Sequence, residues 1–154
     1  MAGAACAGLL AAALVLLTAP PARADDMAAL IGQWKRSEVS GVPRYATRSM
    51  NGSTFAIWCP HTALPVVEVV INGKPPPPNQ LVRIVVDRSM IKLRSDKLGY
   101  IRGDCRFCKD QMTWLWNKLR GGSFLQIQLD DGRYSGFSMR GAAALMGADI
   151  CSPG

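Results

Sequence analysis

Cys105 and Cys108 are separated by two residues, and among the residues of this sequence their type and spacing are best suited to a chemical reaction. At the start of a helix this is the arrangement of thiol oxidoreductases. The helix N-terminus stabilises a thiolate, and the second cysteine resolves a mixed disulfide. The neighbouring cations Arg106 and Lys109 would favour the thiolate further. One hypothesis is therefore thiol–disulfide exchange at Cys105 and Cys108.

The alternative for these cysteines is a structural disulfide framework. Of the five cysteines, Cys6 lies in the N-terminal segment that we expect to be cleaved as a signal peptide, and Cys59, Cys105, Cys108 and Cys151 remain. An even number of cysteines in an exported chain of this size favours disulfides. A thioredoxin-like enzyme would also need βαβ units, which this strand-rich sequence does not show. Four cysteines allow three pairings, and sequence alone does not choose among them. As a working hypothesis we pair Cys59 with Cys151 and Cys105 with Cys108, which would tie the early strands to the C-terminal end.

Metal and hydrolytic centres are weaker hypotheses. A zinc site would use the four cysteines with His61 as a spare ligand, but closed zinc sites usually contain two closely spaced pairs. His61 is the only histidine, and no oxyanion-stabilising loop accompanies it in the sequence. A glycan-active hydrolase is a third option, for which the sequence offers no convincing carboxylate pair. We predict no metal, no cofactor and no enzymatic activity, with thiol–disulfide exchange as the alternative.

A basic and aromatic segment is the candidate binding surface. Aromatic rings flanked by cations suit sugar rings or anionic glycans, through stacking and cation–π contacts. In the alternative interpretation the tryptophans are core or partly buried and the cations are a solvated face. The candidate surface comprises Arg102, Arg106, Phe107, Lys109, Trp114, Lys118 and Arg120.

A helix over residues 110–120 is expected to position most of this surface. Met112, Leu115, Trp116 and Leu119 recur at the spacing of one helical stripe. Asp110 near the start, basic residues in the last turn and two following glycines mark the ends. A strand is the alternative, because Met112 alternates with the tryptophans at 114 and 116.

Alternating or β-branched apolar residues predict strands along much of the remaining chain. These are residues 34–39, 53–59, 65–71, 81–86, 90–94, 99–102, 124–129 and 134–139. Four prolines at 75–78 cannot join a ladder and predict an extended surface loop. An alanine-rich stretch predicts a short helix over 141–149. The predicted fold class is mainly β: a small antiparallel β-sandwich or curled sheet with two short helices, 110–120 and 141–149.

The first 24 residues have the pattern of a cleavable signal peptide. An uncharged apolar run is followed by Ala22, Arg23 and Ala24, a small-x-small cleavage site. The run is shorter than the roughly 20 residues that a membrane span requires. We expect a signal peptide at 1–24, one domain at 25–154, no transmembrane segment after cleavage, and a periplasmic or secreted location. An uncleaved anchor is the alternative.

The chain is basic, with 18 Lys and Arg against 11 Asp and Glu and a formal net charge of +7. Outside the cytoplasm such a protein meets anionic partners, such as lipid phosphates, acidic polysaccharide or peptidoglycan. Export argues against nucleic acid as the partner. In the alternative interpretation the charge only keeps the protein soluble.

The C-terminal third shows a recurring layout. An amphipathic helix, a glycine-flanked strand, a turn, the string from Phe137 to Gly141 (FSMRG) and an alanine-rich segment precede Cys151. This layout resembles small periplasmic proteins of the invasion-associated locus B type, and exported β domains attached to type VI secretion clusters. The resemblance implies a β-sandwich-like domain with a disulfide. It also implies a role in the cell envelope or in host interaction, associated with virulence, and supplies no catalytic residues.

These observations lead to a ranked set of functional hypotheses. The first is a non-enzymatic periplasmic or secreted domain that binds an envelope component or a protein partner. The second is a thiol–disulfide oxidoreductase that uses Cys105 and Cys108.

Overall fold

A computed structural model describes residues 32–61, 64–105 and 107–154. The predicted signal peptide and Arg106 lie outside these residues. Within them, no helix is long and apolar enough to cross a membrane. The elements run β1 (Lys35–Val39), β2 (Val42–Arg48), β3 (Thr54–Trp58), β4 (Val66–Val70), β5 (Leu81–Val86), β6 (Ser89–Arg94), β7 (Ile101–Arg102), α1 (Cys108–Gly121), β8 (Phe124–Leu129), β9 (Tyr134–Ser138) and α2 (Ala142–Leu145).

The strands form two antiparallel sheets, which confirms the predicted mainly β class. The five-stranded sheet has the order β1-β2-β3-β4-β7, and the four-stranded sheet has the order β6-β5-β8-β9. One hydrophobic core lies between them and takes residues from both sheets and from both helices. Across this core the rings of Phe55 and Phe137 lie 6.3 Å apart.

The four-stranded sheet follows directly from the sequence alternation. In β5, Val82, Ile84 and Val86 are buried while the residues between them are partly exposed. Their partners on β8 are also buried apolar residues, and Ile84 pairs with Ile127 at the centre. Each fully buried aliphatic side chain of this kind contributes about 1.5–3 kcal/mol. β5 and β8 have the bounds that the sequence predicts.

Strand β2 was not predicted, and its omission has consequences for the site. It contains Pro43, and proline inside a strand usually argues against a strand. Here Pro43 lies next to a two-residue turn and opposite Glu38, and its carbonyl accepts a hydrogen bond from the Cys59 N–H. The rest of β2 alternates regularly, with Tyr45 and Thr47 buried.

Helix α1 has the predicted core stripe. Met112, Leu115, Trp116 and Leu119 are its buried residues, so the helix prediction is confirmed and the strand alternative is wrong. The Trp116 ring packs edge-on against Tyr45 of β2, with centroids 5.0 Å apart.

Helix α2 is shorter than predicted. It ends at Leu145, and Met146 adopts extended backbone with φ −101° and ψ 115°. Met146 instead pairs with Pro153 in an isolated bridge. A Cβ on Gly147 would lie 2.4 Å from the Pro153 carbonyl oxygen, so the chain folds back tightly there. The prediction of helix over 141–149 is therefore wrong beyond residue 145.

The proline loop contains no strand, as predicted, but it is not wholly on the surface. Pro76 is buried. A Cβ on Gly99 would lie 2.8 Å from the Pro76 carbonyl oxygen, so only glycine fits against the loop there. The guanidinium of Arg133 also donates to the carbonyls of Ile71, Lys74 and Pro75 at 2.8–3.0 Å.

Candidate functional site

The side of the five-stranded sheet that faces away from the core carries a cluster of three interacting side chains, one on each of β2, β3 and β4. Arg44 and Trp58 are directly paired in register. Glu68 pairs with Ala56, two residues before Trp58 on the same face. We call these residues the Arg44–Trp58–Glu68 cluster.

The geometry of this cluster fixes the orientation of the indole. The Trp58 Nε1 donates a hydrogen bond of 2.7 Å to Oε2 of Glu68. The guanidinium carbon of Arg44 lies 5.1 Å from the centre of the Trp58 ring, a cation–π contact. Nη2 of Arg44 lies 3.6 Å from Oε2 of Glu68, and both side chains are 23% exposed. The ring is thus held by two contacts while remaining half-buried on the outer face.

A basic depression lies on the Arg44 side of the cluster. Its volume is about 320 Å³, and the short side chain of Ala46 contributes to its lining. Three cations, Lys35, Arg44 and Arg48, line it together with hydroxyl and amide groups. The remaining lining residues are Gln33, Ser37, Thr47 and Thr54.

An aromatic cleft lies on the Trp58 side. Its volume is about 330 Å³, and it is lined by Trp58, Tyr100 and Arg102 together with Val42, Pro60, Val66, Asp96 and Leu98. Tyr100 is 38% exposed. Its backbone N–H donates to the carboxylate of Asp96 at 3.0 Å, which fixes the turn that carries the tyrosine. Apolar walls with a few polar groups at the rim are typical of small-molecule sites.

Comparison with known proteins identifies the family. The chain matches the YfjT family over residues 32–146, which is more than half of its 154 residues. The chain belongs to the YfjT family. No curated protein matches the chain, and no solved structure matches it either. The YfjT match includes the Arg44–Trp58–Glu68 cluster, the basic depression, the aromatic cleft and the Cys105–Cys108 pair, and it ends before Cys151.

In this YfjT member, the binding surface predicted from sequence is spread over α1 and β7. Trp114 is half-buried against the core, with Nζ of Lys118 5.7 Å from its ring centre. Phe107 is 72% exposed at the start of α1, Lys109 is exposed and Arg120 is half-buried. Nothing is described of Arg106.

Arg102 connects the predicted surface with the candidate site. It lies on β7, the edge strand beside β4, and lines the aromatic cleft. Its Nε donates to the carboxylate of Asp104 at 3.0 Å, and both side chains are about half exposed. Exposed ion pairs of this kind contribute about 1 kcal/mol or less, so the guanidinium can exchange Asp104 for another anion at small cost.

The cysteines of this YfjT chain form the two disulfides of the working hypothesis. Cys59 and Cys151 are bonded with Cα atoms 5.6 Å apart, and Cys105 and Cys108 with Cα atoms 4.9 Å apart. Cys59 is buried in the core. Cys105 is exposed, and Cys108 is the first residue of α1.

In the part of the chain that the structure describes, His61 and the acidic residues do not come together as a metal centre. His61 is exposed, and its Nε2 lies 3.2 Å from the carbonyl oxygen of Gly41. Among residues 32–61, 64–105 and 107–154, no group of three or more His, Cys, Asp or Glu could hold a metal ion.

Sequence reasoning missed Arg44, Trp58, Glu68 and Tyr100 as site residues. Arg44 and Trp58 are neighbours only because β2 pairs with β3, and β2 was not predicted. The signal in the sequence was weak: burial alternates along the whole of β2, but in its sequence, VPRYATR, only the outward Arg44 and Arg48 and the inward Tyr45 fit an alternation of polar and apolar residues. On that pattern Arg44 belongs to the outward face, where a tryptophan on the next strand can reach it.

Proposed function

We propose that this chain is an exported, non-enzymatic binding domain that takes an anionic, sugar-containing envelope component on the outer face of its five-stranded sheet. The observation that carries the proposal is the fixed indole of Trp58. Arg44 stacks on this ring from the basic depression, and the ring also lines the aromatic cleft. A preorganised aromatic ring beside cations suits a sugar ring that carries a negative group.

The charge of the face supports an anionic ligand. Lys35, Arg44 and Arg48 line the basic depression, and Arg102 lines the aromatic cleft. Within the cluster Glu68 accepts from the Trp58 indole and faces the Arg44 guanidinium. A carboxylate engaged in this way positions its neighbours and is poorly placed to act as a general base, which favours binding over catalysis.

The N-terminal sequence and the cysteines support an extracytoplasmic location. Disulfides persist mainly in oxidising compartments, such as the periplasm or the cell exterior, and the structure contains two. Together with the signal-peptide pattern, they favour a periplasmic or secreted protein. We also propose, from the C-terminal layout, a relationship to the invasion-associated locus B type, with a role in the envelope or in host interaction.

The test is a binding measurement on protein exported with its own N-terminus and purified from the periplasm. The probes are a polyuronate oligomer, a lipopolysaccharide fragment and an uncharged glucan oligomer of matched length, titrated by calorimetry. We expect the unmodified protein to bind at least one of the two anionic probes and to prefer it to the glucan. Affinity should fall as salt rises, because exposed charges are screened.

Two variants test the location of the site. Trp58→Ala should weaken binding about tenfold or more, since a stacked aromatic contributes over 1 kcal/mol through contact and buried area. Phe124→Ala is the matched control, because Phe124 is a half-exposed ring on the opposite sheet. Equal affinities of the two variants, with both folds intact by circular dichroism, would reject this face. Absence of binding to both anionic probes would reject the ligand class.

Thiol–disulfide exchange is the second candidate function, and the position of the Cys105–Cys108 disulfide favours it. A substrate thiolate would attack the exposed Cys105 sulfur and expel Cys108 as a thiolate at the helix N-terminus. A second substrate thiolate would then displace Cys105. The substrate leaves as a disulfide, and this protein is left as a dithiol that an external disulfide must reoxidise.

Graded glutathione buffers separate this candidate from a structural disulfide. An enzyme of this type should lose the Cys105–Cys108 bond in mildly reducing buffer while Cys59–Cys151 and the fold persist. In the reverse reaction its dithiol form, regenerated by dithiothreitol, should reduce the disulfides of insulin, and Cys105→Ser should abolish that activity. A Cys105–Cys108 bond that resists reduction throughout the glutathione range would reject the candidate.

A further inference from the structure

Strand β1 forms a free edge of the five-stranded sheet. It pairs with β2 on one side, and in the described part of the chain no strand lies on its other side. All five of its residues are exposed. The chain just before it is anchored, because the Trp34 N–H donates to the Arg140 carbonyl at 2.9 Å. Within residues 32–61, 64–105 and 107–154, the edge is therefore both unpaired and fixed in position.

The turn that follows β1 determines which of its backbone groups are free. Ser40 and Gly41 both have positive φ, 51° and 78°, as in the two-residue turns typical of β-hairpins. In such a hairpin the flanking residues, Val39 and Val42, form a hydrogen-bonded pair. Pairs alternate along the ladder, so Ser37 also bonds to β2, whereas the backbone groups of Arg36 and Glu38 point away from it.

The residue opposite Glu38 is consistent with this assignment. Glu38 pairs with Pro43, and proline has no N–H to donate. A ladder that needed a hydrogen bond at this pair would exclude proline. The free donors and acceptors of β1 therefore belong to Arg36 and Glu38, two residues of opposite charge.

We propose that β1 pairs antiparallel with β1 of a second copy of this chain, with Ser37 on the two-fold axis. Arg36 of each copy then lies opposite Glu38 of the other, and both exchange backbone hydrogen bonds. Opposite charges directly across a ladder are stabilising, and like charges are destabilising. A shift by two residues in either direction would place Arg36 opposite Arg36 or Glu38 opposite Glu38. Charged residues on an edge strand usually prevent the addition of another strand. On this edge the charges are complementary in the register with Ser37 on the axis, and they disfavour the two neighbouring registers.

The pairing has a consequence for the binding face. Two five-stranded sheets become one continuous ten-stranded sheet. Lys35 and Ser37 of β1 line the basic depression, so the depressions of the two copies meet across the axis. If the proposed function holds, a long anionic chain would contact both copies at once and bind with higher avidity. The pairing itself does not depend on that function.

The interface is small, and we expect it to be weak. It provides backbone hydrogen bonds at two residues of each copy and two ion pairs. Interfaces far below about 1,000 Å² are usually transient. Sedimentation velocity on the full exported protein, from about 10 μM to about 1 mM, covers the expected range of dissociation constants. We expect a reversible shift from monomer to dimer across this range.

Charge exchange tests the register. Arg36→Glu and Glu38→Arg should each abolish the dimer, because like charges then face each other at both pairs. The double variant Arg36→Glu/Glu38→Arg should restore it. An equimolar mixture of the two single variants should form a heterodimer, because each acidic position then faces a basic one. Lys92→Glu on β6, an edge of the other sheet, is the matched control and should leave the dimer unchanged.

Three outcomes would overturn the proposal. The first is an unmodified protein that stays monomeric over the whole concentration range. The second is a dimer that persists in both single variants. The third is the failure of both the double variant and the mixture to restore association while circular dichroism shows folded protein. Loss of glycan binding in Trp58→Ala affects none of these results, so the two proposals fail separately.

Discussion

The indole of Trp58 donates a hydrogen bond of 2.7 Å to the carboxylate of Glu68 across the pairing of β3 with β4. Glu68 therefore has two opposed effects on an anionic ligand. Its oxygen orients the ring on which a sugar would stack, and its charge occupies the guanidinium of Arg44 and repels the ligand. Two substitutions at this position separate the effects.

Glu68→Gln keeps an oxygen acceptor for Trp58 and removes the negative charge. We expect the affinity for an anionic glycan to rise severalfold, because a nearby like charge costs about 1 kcal/mol at a partly exposed site. Glu68→Ala removes the charge and also the anchor of the ring, so affinity should fall below that of Glu68→Gln. Calorimetric titration of both variants checks the order, and a lower affinity for Glu68→Gln than for Glu68→Ala would contradict it.

The Arg133 guanidinium fastens the proline loop to the β8–β9 turn, and its removal should destabilise the fold. It donates to three backbone carbonyls and pairs with Asp131. Arg133→Ala should cost about 2–3 kcal/mol of unfolding free energy, because hydrogen bonds from a charged donor are among the stronger ones. Arg133→Lys should recover only part of this loss, because the lysine ammonium lacks the planar guanidinium group that donates to several carbonyls at once.

Arg83 provides the control for Arg133. It forms a single ion pair of 2.8 Å with Asp130 on the surface, so Arg83→Ala should cost about 1 kcal/mol or less. Urea unfolding of both variants gives the comparison. Similar midpoints for Arg133→Ala and the unmodified protein would show that the clamp contributes little.

The elements that sequence predicted best are those whose burial follows one period without interruption. β5 and β8 alternate strictly between core and solvent, and α1 keeps Met112, Leu115, Trp116 and Leu119 on one stripe. Burial in the core selects such patterns, so they are visible in the sequence. Burial also alternates along β2, but Pro43 hides this strand from sequence-based prediction. Only the pairing of Pro43 with Glu38 shows that the β1–β2 ladder needs no N–H at this position.

The site was less predictable than the fold for a physical reason. Arg44, Trp58 and Glu68 come from three strands and meet only through register, which is a property of the pairing and not of any one segment. The end of α2 depends similarly on a distant contact, the bridge from Met146 to Pro153. Local periodicity carries no information on either relationship.

The Asp131 carboxylate predicts a specific pH dependence. A side-chain hydrogen bond from Arg133 holds the pKa of Asp131 below its ordinary value of 3.8. A carboxylate with a lowered folded pKa adds stability above its ordinary pKa. That stability is lost as pH falls from near 3.8 through the lowered value. Unfolding free energy measured from pH 5 downwards should therefore fall less steeply in Asp131→Asn. An unchanged slope would contradict this role.

The two disulfides should differ in their contribution to stability. Cys59–Cys151 spans 92 residues, whereas Cys105–Cys108 spans 3. The chain-entropy model assigns about 4–5 kcal/mol to the long loop and about 2 kcal/mol to the short one. We therefore expect Cys59→Ala/Cys151→Ala to lower the unfolding free energy at least twice as much as Cys105→Ala/Cys108→Ala. Burial of Cys59 in the core should widen the difference.

Chemical unfolding of the two double variants is the measurement, with the unmodified protein kept oxidised as reference. A larger loss in the Cys105→Ala/Cys108→Ala variant would mean that the short disulfide fixes α1 against the core, and this would also weaken the proposal that it exchanges freely with substrate thiols.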